Sequence, residues 1–412
     1  MGKLQSRGQI RTLGALAWLV YFFSYVTRIN FAAILVAFTQ AENVSNAAAS
    51  VITSVLFVTY GVGQLISGYL GDRIPPNKLI FGGLLTSVVC NVLMPQFSPN
   101  IPAMAAIWGV NGLAQAFMWP PLVKILSCAL TPEDYARMIP GVSTSSGLAT
   151  IVIYLVSPLV LRLSGWKTVF YLAAGTAAVA AIVWRTASGR LLRQVDFDRP
   201  AARRRTAPTE KTAGTGPLRL LLPVLLCSIA VQGMLRDGIS TWLPTFLTET
   251  FHLESTVSIL TGVALPVFHV LVTLVTYRVL VKLHWDVFAC ICLYFGIVTA
   301  LLLGLTLFGM HGAALALLLI AVSYGAMHGI NSLQTCYVVP CLPQSGNVSF
   351  LAGLLNSATY VGSAVATYLF AVISDRFGWN ATAASWVIIA AVGLLLSALC
   401  GRLLRKVTGR NG

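Results

Sequence analysis

From Ser188 to Pro217 the chain reads SGRLLRQVDFDRPAARRRTAPTEKTAGTGP, with Arg190, Arg193, Arg199, Arg203, Arg204, Arg205 and Lys211 set among Gly, Pro and Thr. A stretch of this kind has no apolar face to bury and reads as a linker. On either side the pattern is the opposite. Six apolar runs precede it, near 11–38, 48–71, 78–97, 101–127, 138–163 and 167–187, and six follow, near 218–247, 256–280, 286–309, 312–341, 347–374 and 380–402. Each is long enough to cross a bilayer as a helix, which takes about twenty residues. The sequence therefore predicts an all-α membrane protein: twelve transmembrane helices in two six-helix bundles, residues 1–187 and 218–412, with 188–217 as a cytoplasmic linker.

Composition agrees. Of the 412 residues 57% are hydrophobic and 9% are Asp, Glu, Lys or Arg, against about 25% charged in a soluble domain. That excludes a water-soluble fold, which needs more charge to cover its surface, and excludes disorder. The formal net charge of +15 is a matter of position. Of the 27 basic residues about 22 fall on the side that holds the N-terminal tail, the linker and the C-terminal tail, while only Arg162, Lys167 and Arg376 fall in loops on the other. The positive-inside rule then places both termini in the cytoplasm, and a nucleic-acid partner is superfluous. The eight cysteines lie mostly inside apolar stretches without CxxC spacing, as small membrane-buried hydrophobes. No metal-ligand cluster, P-loop, hydrolase elbow or glycine-rich nucleotide turn occurs, so the expectation is no enzyme, no cofactor and no metal.

With the loop charges set aside, few ionisable groups remain at membrane depth: Arg28, Arg236 and Asp237, then His269 and His328. A charge near the bilayer centre costs roughly 2.5–3.5 kcal/mol on insertion scales and persists where it faces a partner or a water-filled cavity. Arg28 and Arg236 lie about seventeen and eighteen residues into their runs, too deep to snorkel easily. A guanidinium grips an oxyanion with a planar pair of N–H donors, so the two arginines point to a small anion. Tyr21, Ser24 and Tyr25 precede Arg28 by seven, four and three residues and share its helical face, and Gln232 and Ser240 flank Arg236 at four-residue spacing. Asp237 is open to two readings, a counter-ion for an arginine or a proton carrier. The two histidines read as core residues. At the end of the second run, Gly68-Tyr69-Leu70-Gly71-Asp72-Arg73 combines small residues with an acid and a base; Gly68, Asp72 and Arg73 are expected to gate.

The halves repeat. An offset of 208 aligns Arg28 with Arg236, each in the helix that opens its half, and Phe377-Gly378-Trp379 echoes Ser164-Gly165-Trp166. Pseudo-symmetric halves of this kind resemble the major facilitator superfamily, whose substrate site lies at the midplane between them. Within it the chain resembles the organophosphate:phosphate antiporters, typified by bacterial glycerol-3-phosphate and hexose-phosphate transporters. The run Arg236-Asp237-Gly238-Ile239-Ser240-Thr241-Trp242-Leu243-Pro244-Thr245-Phe246-Leu247 looks like that family's seventh-helix pattern, Gln115 with Trp119-Pro120-Pro121 is similar to its fourth-helix signature, and Tyr21, Tyr25 and Arg28 match its first-helix site. The resemblance implies that Arg28 and Arg236 bind phosphate with the tyrosines beside them, and that Gln115 and Gln64 belong to the same site. It also implies exchange of an organophosphate for inorganic phosphate by a monomer in a bacterial inner membrane. Gln64, in Tyr60-Gly61-Val62-Gly63-Gln64, stands where glycerol-3-phosphate members carry a lysine, and no His between Arg137 and Arg162 answers their fifth-helix histidine. Two further readings stay open. Tyr25-Val26-Thr27-Arg28-Ile29-Asn30 also resembles the proton-coupled anion:cation symporters of sugar acids, which usually place an Asp before that Arg and a Glu on the fourth helix, where this chain has Thr27 and Gln115. The third is a transporter-like sensor of sugar phosphate.

Overall fold

The structure, a computed structural model, describes residues 4, 6–70, 74–195, 215–277, 286–338 and 348–408. Most of the linker, with Asp72 and Arg73, lies outside the described residues; 188–195 extend the preceding helix and close in a 3-10 turn. The helices are α1 (Arg7–Glu42), α2 (Asn46–Leu70), α3 (Pro76–Leu93), α4 (Ile101–Gln115), α5 (Trp119–Ala129), α6 (Pro132–Ser164), α7 (Trp166–Leu191), α8 (Thr215–Phe251), α9 (Ser255–Thr261), α10 (Ala264–Tyr277), α11 (Val287–Leu307), α12 (Ala313–Ser332) and α13 (Val348–Thr408).

Their breaks have chemical causes. Pro120 and Pro121 carry no N–H, so the fourth span pauses in turns at 116–118 and restarts as α5 with its prolines in the first turn, where no donor is missed. The eighth span likewise breaks between α9 and α10, just ahead of Pro266. The last element is two helices joined at Gly378, whose φ of 78° and ψ of 176° only glycine adopts readily. Among the described residues eleven stretches are long and apolar enough to span a membrane, and that join divides the last of them, giving the expected twelve.

The described residues group into two units, one of residues 1–44 and 55–206, the other of 45–54 and 207–412. In the first, α1 packs on α6 and α7, and α3 on α4 and α7. Leu13, Leu16 and Val20 meet Ile80, Leu84, Leu122 and Trp184 in one apolar core. In the second, α8 and α11 pack on α13, and α10 and α11 on α12. Small residues permit the close approaches: a Cβ on Gly233 would strike the Thr359 carbonyl, and one on Gly362 the Ala230 carbonyl, so α8 and α13 touch backbone to backbone. Polarity is inverted relative to a soluble protein. Leu163 and Leu395 are 74% and 69% exposed, whereas Asn30, Asn91, Asn111, Gln232 and Ser397 are fully buried, as a lipid-facing surface around a polar interior requires.

The sequence echo between the halves holds atom by atom. Gly165 adopts φ 79° and ψ 174°, within two degrees of Gly378. The Trp166 indole N–H then donates to Glu42 Oε1 at 3.1 Å, and the Trp379 indole N–H to Glu249 Oε2 at 2.7 Å. Each bond ties the first helix of a half to its last. The first helices end alike as well, with Asn43 and His252 both left-handed, at φ 53° and 54°.

Candidate functional site

In the first unit the Arg28 guanidinium carbon lies 4.0 Å from the centre of the Tyr60 ring and 5.4 Å from that of Tyr25. Tyr21 meets Tyr25 edge to face at 5.1 Å and tilts over Trp119 at 4.7 Å. Rings from α1 and α2 thus face one planar cation, a geometry in which each ring face attracts the charge by about 0.5–2 kcal/mol, while the Trp119 ring of α5 backs Tyr21. The backbone turn that carries Arg28 is clamped from the neighbouring helices. Asn91 and Asn111 each donate an amide proton to the Thr27 carbonyl at 3.0 Å, and Asn30 Nδ2 donates to Asn91 Oδ1 at 2.7 Å. Gln115, expected among the site residues, is 2% exposed and gives its amide protons to Thr27 Oγ1 and Ser87 Oγ, so it holds α1, α3 and α4 together. Ser24 is buried and bonded to the Tyr21 carbonyl. Gln64 sits one helical turn beyond Tyr60, buried, and its Nε2 has no hydrogen-bond partner. An orphan donor at that depth is costly unless a ligand or water meets it.

In the second unit Arg236 is 6% exposed and its fork is already filled. Nε donates to Asp237 Oδ1 and Nη2 to Asp237 Oδ2, both at 2.7 Å, and Ser363 Oγ donates to Oδ2 at 2.6 Å. Asp237 is thus set as a counter-ion: the pair is neutral, and an oxyanion reaching this guanidinium meets the carboxylate on its Nε edge. The Tyr360 ring lies 5.7 Å from the guanidinium carbon. Ser240 Oγ donates to the Asp237 carbonyl at 3.1 Å, and Gln232, fully buried, gives Nε2 to the Met327 carbonyl at 3.0 Å. That last bond brings α12 beside Arg236. Met327 precedes His328, whose ring stacks on that of His269 with centroids 3.8 Å apart.

The pattern of the Major Facilitator Superfamily matches residues 17–340. The chain belongs to that superfamily. It is 25% identical over 155 residues to a protein named "Probable hexose phosphate transport protein" in Chlamydia trachomatis serovar D, covering 38% of this chain and 34% of that one. It is 26% identical over 171 residues to "Membrane sensor protein UhpC" of Salmonella typhimurium, covering 41% and 38%. The matched stretch spans little more than a third of the length of these curated relatives. The solved structure of a bacterial homolog to the human lysosomal transporter Spinster, inward-facing and unoccupied, superposes with a TM-score of 0.78 over 98% of this chain and 99% of that one, at 12% identity. An identity that low shows the fold alone, a twelve-helix multi-pass membrane protein of the facilitator type.

Of the three residues expected to gate, Gly68 lies in the last turn of α2, and Asp72 and Arg73 lie outside the described residues. Other participants emerge only from packing. Tyr60, Trp119, Tyr360 and Ser363 each reach an arginine, its counter-ion or a ring beside it. A cation at membrane depth needs π faces and hydroxyls around it, which is a reason to search every other span for Tyr and Ser; which of them arrive is a tertiary matter.

Proposed function

We propose that the chain is a secondary active transporter that carries a small organic anion by alternating access, an organophosphate taken in exchange for inorganic phosphate. The observation that carries this reading is one guanidinium at membrane depth in each unit, Arg28 and Arg236, each set against tyrosine rings. The name of one curated relative, a probable hexose phosphate transport protein, favours a phosphate ester over other anions. A phosphate monoester carries about −1.5 to −2 at neutral pH and offers paired oxygens to a guanidinium fork. Asp237 keeps Arg236 compensated while the site is empty and shares it with the arriving anion. The proposal includes residues 1–187 and 218–412 as the two bundles, cytoplasmic termini, a bacterial inner membrane and a functional monomer.

Proton symport is the second reading. Asp237 favours it, because protonating that carboxylate would also release Arg236. The test is a thermal-shift screen of the purified chain against sugar phosphates, inorganic phosphate and sugar acids, with Arg28→Lys as the comparison. A ligand at a hundred times its dissociation constant adds roughly 2.7 kcal/mol. Phosphate esters and phosphate should stabilise the wild type, and Arg28→Lys should lose most of that gain, since an ammonium lacks the fork. Stabilisation by sugar acids alone selects the symporter; no response to any anion removes the proposal.

A further inference from the structure

His269 on α10 and His328 on α12 are 59 positions apart in sequence, yet their rings lie face to face, 3.8 Å between centroids and 23° from parallel. The contact is built by the backbone. A Cβ on Gly325 would come within 2.6 Å of the Phe268 carbonyl, and one on Gly329 within 2.9 Å of Thr276 Oγ1, so the glycines on either side of His328 let α12 settle directly on α10. The Tyr324 ring stands edge-on to His328 at 4.6 Å, and His328 Nε2 is buried with no hydrogen-bond partner. Gln232, one helical turn before Arg236, donates to the carbonyl of Met327, the residue next to His328, and so fixes the approach of α8 to α12.

We propose that the His269–His328 stack is a proton site linked to the anion site: one of the two rings takes up a proton when an anion pairs with Arg236. The inference rests on the anion-carrier reading and adds a second, cationic cargo. Charge arithmetic leads to it. Arg236 and Asp237 sum to zero, so a phosphate dianion entering this unit meets no net compensation. Two rings at stacking distance hold one proton between them, because two like charges so close repel, while a single imidazolium is stabilised by the π face of its neighbour. Among the described residues Tyr324 of α12 stands on the stack, Tyr294 of α11 lies beside Gly329 with its hydroxyl shared with Thr276 at 2.8 Å, and Arg236 of α8, with Asp237 and the Tyr360 ring of α13 against it, lies one turn beyond the Gln232 that bonds α12. Of these only Arg236 is cationic. Once an anion offsets it, the unpartnered imidazole nitrogen is the group placed to gain a proton. Binding and protonation are then reciprocal, and the proton accompanies the anion on either leg of an exchange.

The experiment is titration calorimetry of the full purified chain with inorganic phosphate at about pH 8, where that probe is already a dianion, in two buffers of different ionisation enthalpy. Wild type should take up close to one proton per phosphate bound, and its affinity should fall about tenfold per pH unit above that point. His269→Phe and His328→Phe combined keep a ring in each place; the double variant should bind phosphate with uptake cut several-fold and a flattened pH profile, its fold checked by its melting midpoint. Phosphate binding without proton uptake in wild type overturns the proton site and leaves the carrier reading standing. Undiminished uptake in the folded double variant also overturns it and directs the proton to Asp237 or to the phosphate itself. Absence of any phosphate binding removes both readings together.

Discussion

Arg236 and Asp237 are neighbours in sequence, so their side chains leave the helix about 100° apart, yet the guanidinium curls round to meet both carboxylate oxygens at 2.7 Å. Asp237→Asn keeps the shape and removes the charge. Taking away one partner of a buried pair costs about 3–5 kcal/mol, because the other charge is left uncompensated. The variant should therefore melt well below wild type in phosphate-free buffer, and phosphate should raise its midpoint by more than it raises that of wild type. Equal midpoints without phosphate would show that Asp237 does not neutralise Arg236. How far this was legible in the sequence differs residue by residue. The two arginines and Asp237 stand out because a charge inside an apolar run is rare enough to demand a reason. Gln232 shares α8 with Arg236 and Gln115 lies on α4, but sequence pattern gives a direction and not a partner, and both turn out to hold helices together. The imidazole stack was beyond reach, since nothing in either histidine's own helix encodes the other.

At the scale of elements, hydropathy found every span to within a few residues, because about twenty apolar residues in a row leave the chain no other use. The subdivision of spans needed local chemistry, the prolines of α5 and the glycine of α13. What a helix face touches was not readable, and Gly82 and Gly83 make the point. They are adjacent on α3, but a Cβ on Gly82 would meet nothing within 4 Å, while one on Gly83 would come within 2.7 Å of the Ala114 carbonyl and crowd Met118. Gly82→Ala should be neutral or stabilising by up to about 1 kcal/mol through helix propensity. Gly83→Ala forces α3 from α4 and should destabilise by about 1–3 kcal/mol. Melting midpoints of the two variants in one detergent test the pair; equal shifts would contradict the packing of α3 on α4.

For the whole molecule the charge inventory predicts a mode of transport. Two arginines and one acid sit in the middle of spans, so an empty carrier holds excess positive charge at membrane depth and an anion offsets it. Reorientation should be easier loaded than empty, the behaviour expected of the proposed exchanger. Counterflow of external organophosphate into phosphate-loaded liposomes should persist when a protonophore collapses the pH gradient, and should fall at least about tenfold in liposomes without internal phosphate. Transport that needs no internal anion and stops with the protonophore would instead favour symport. The order of synthesis gives the two glycine–tryptophan corners a further meaning. Glu42 is on the first helix of its half and Trp166 opens the last, and Glu249 and Trp379 stand in the same relation. Each half can buckle shut only when its final helix emerges, but the earlier buckle needs nothing from residues 207–412, which at that moment have not been made. A nascent chain paused after α7 would already have its first acid–indole bond within reach, so the first unit, which leaves out only residues 45–54 of that half, can assemble in the membrane while the ribosome is still reading the rest.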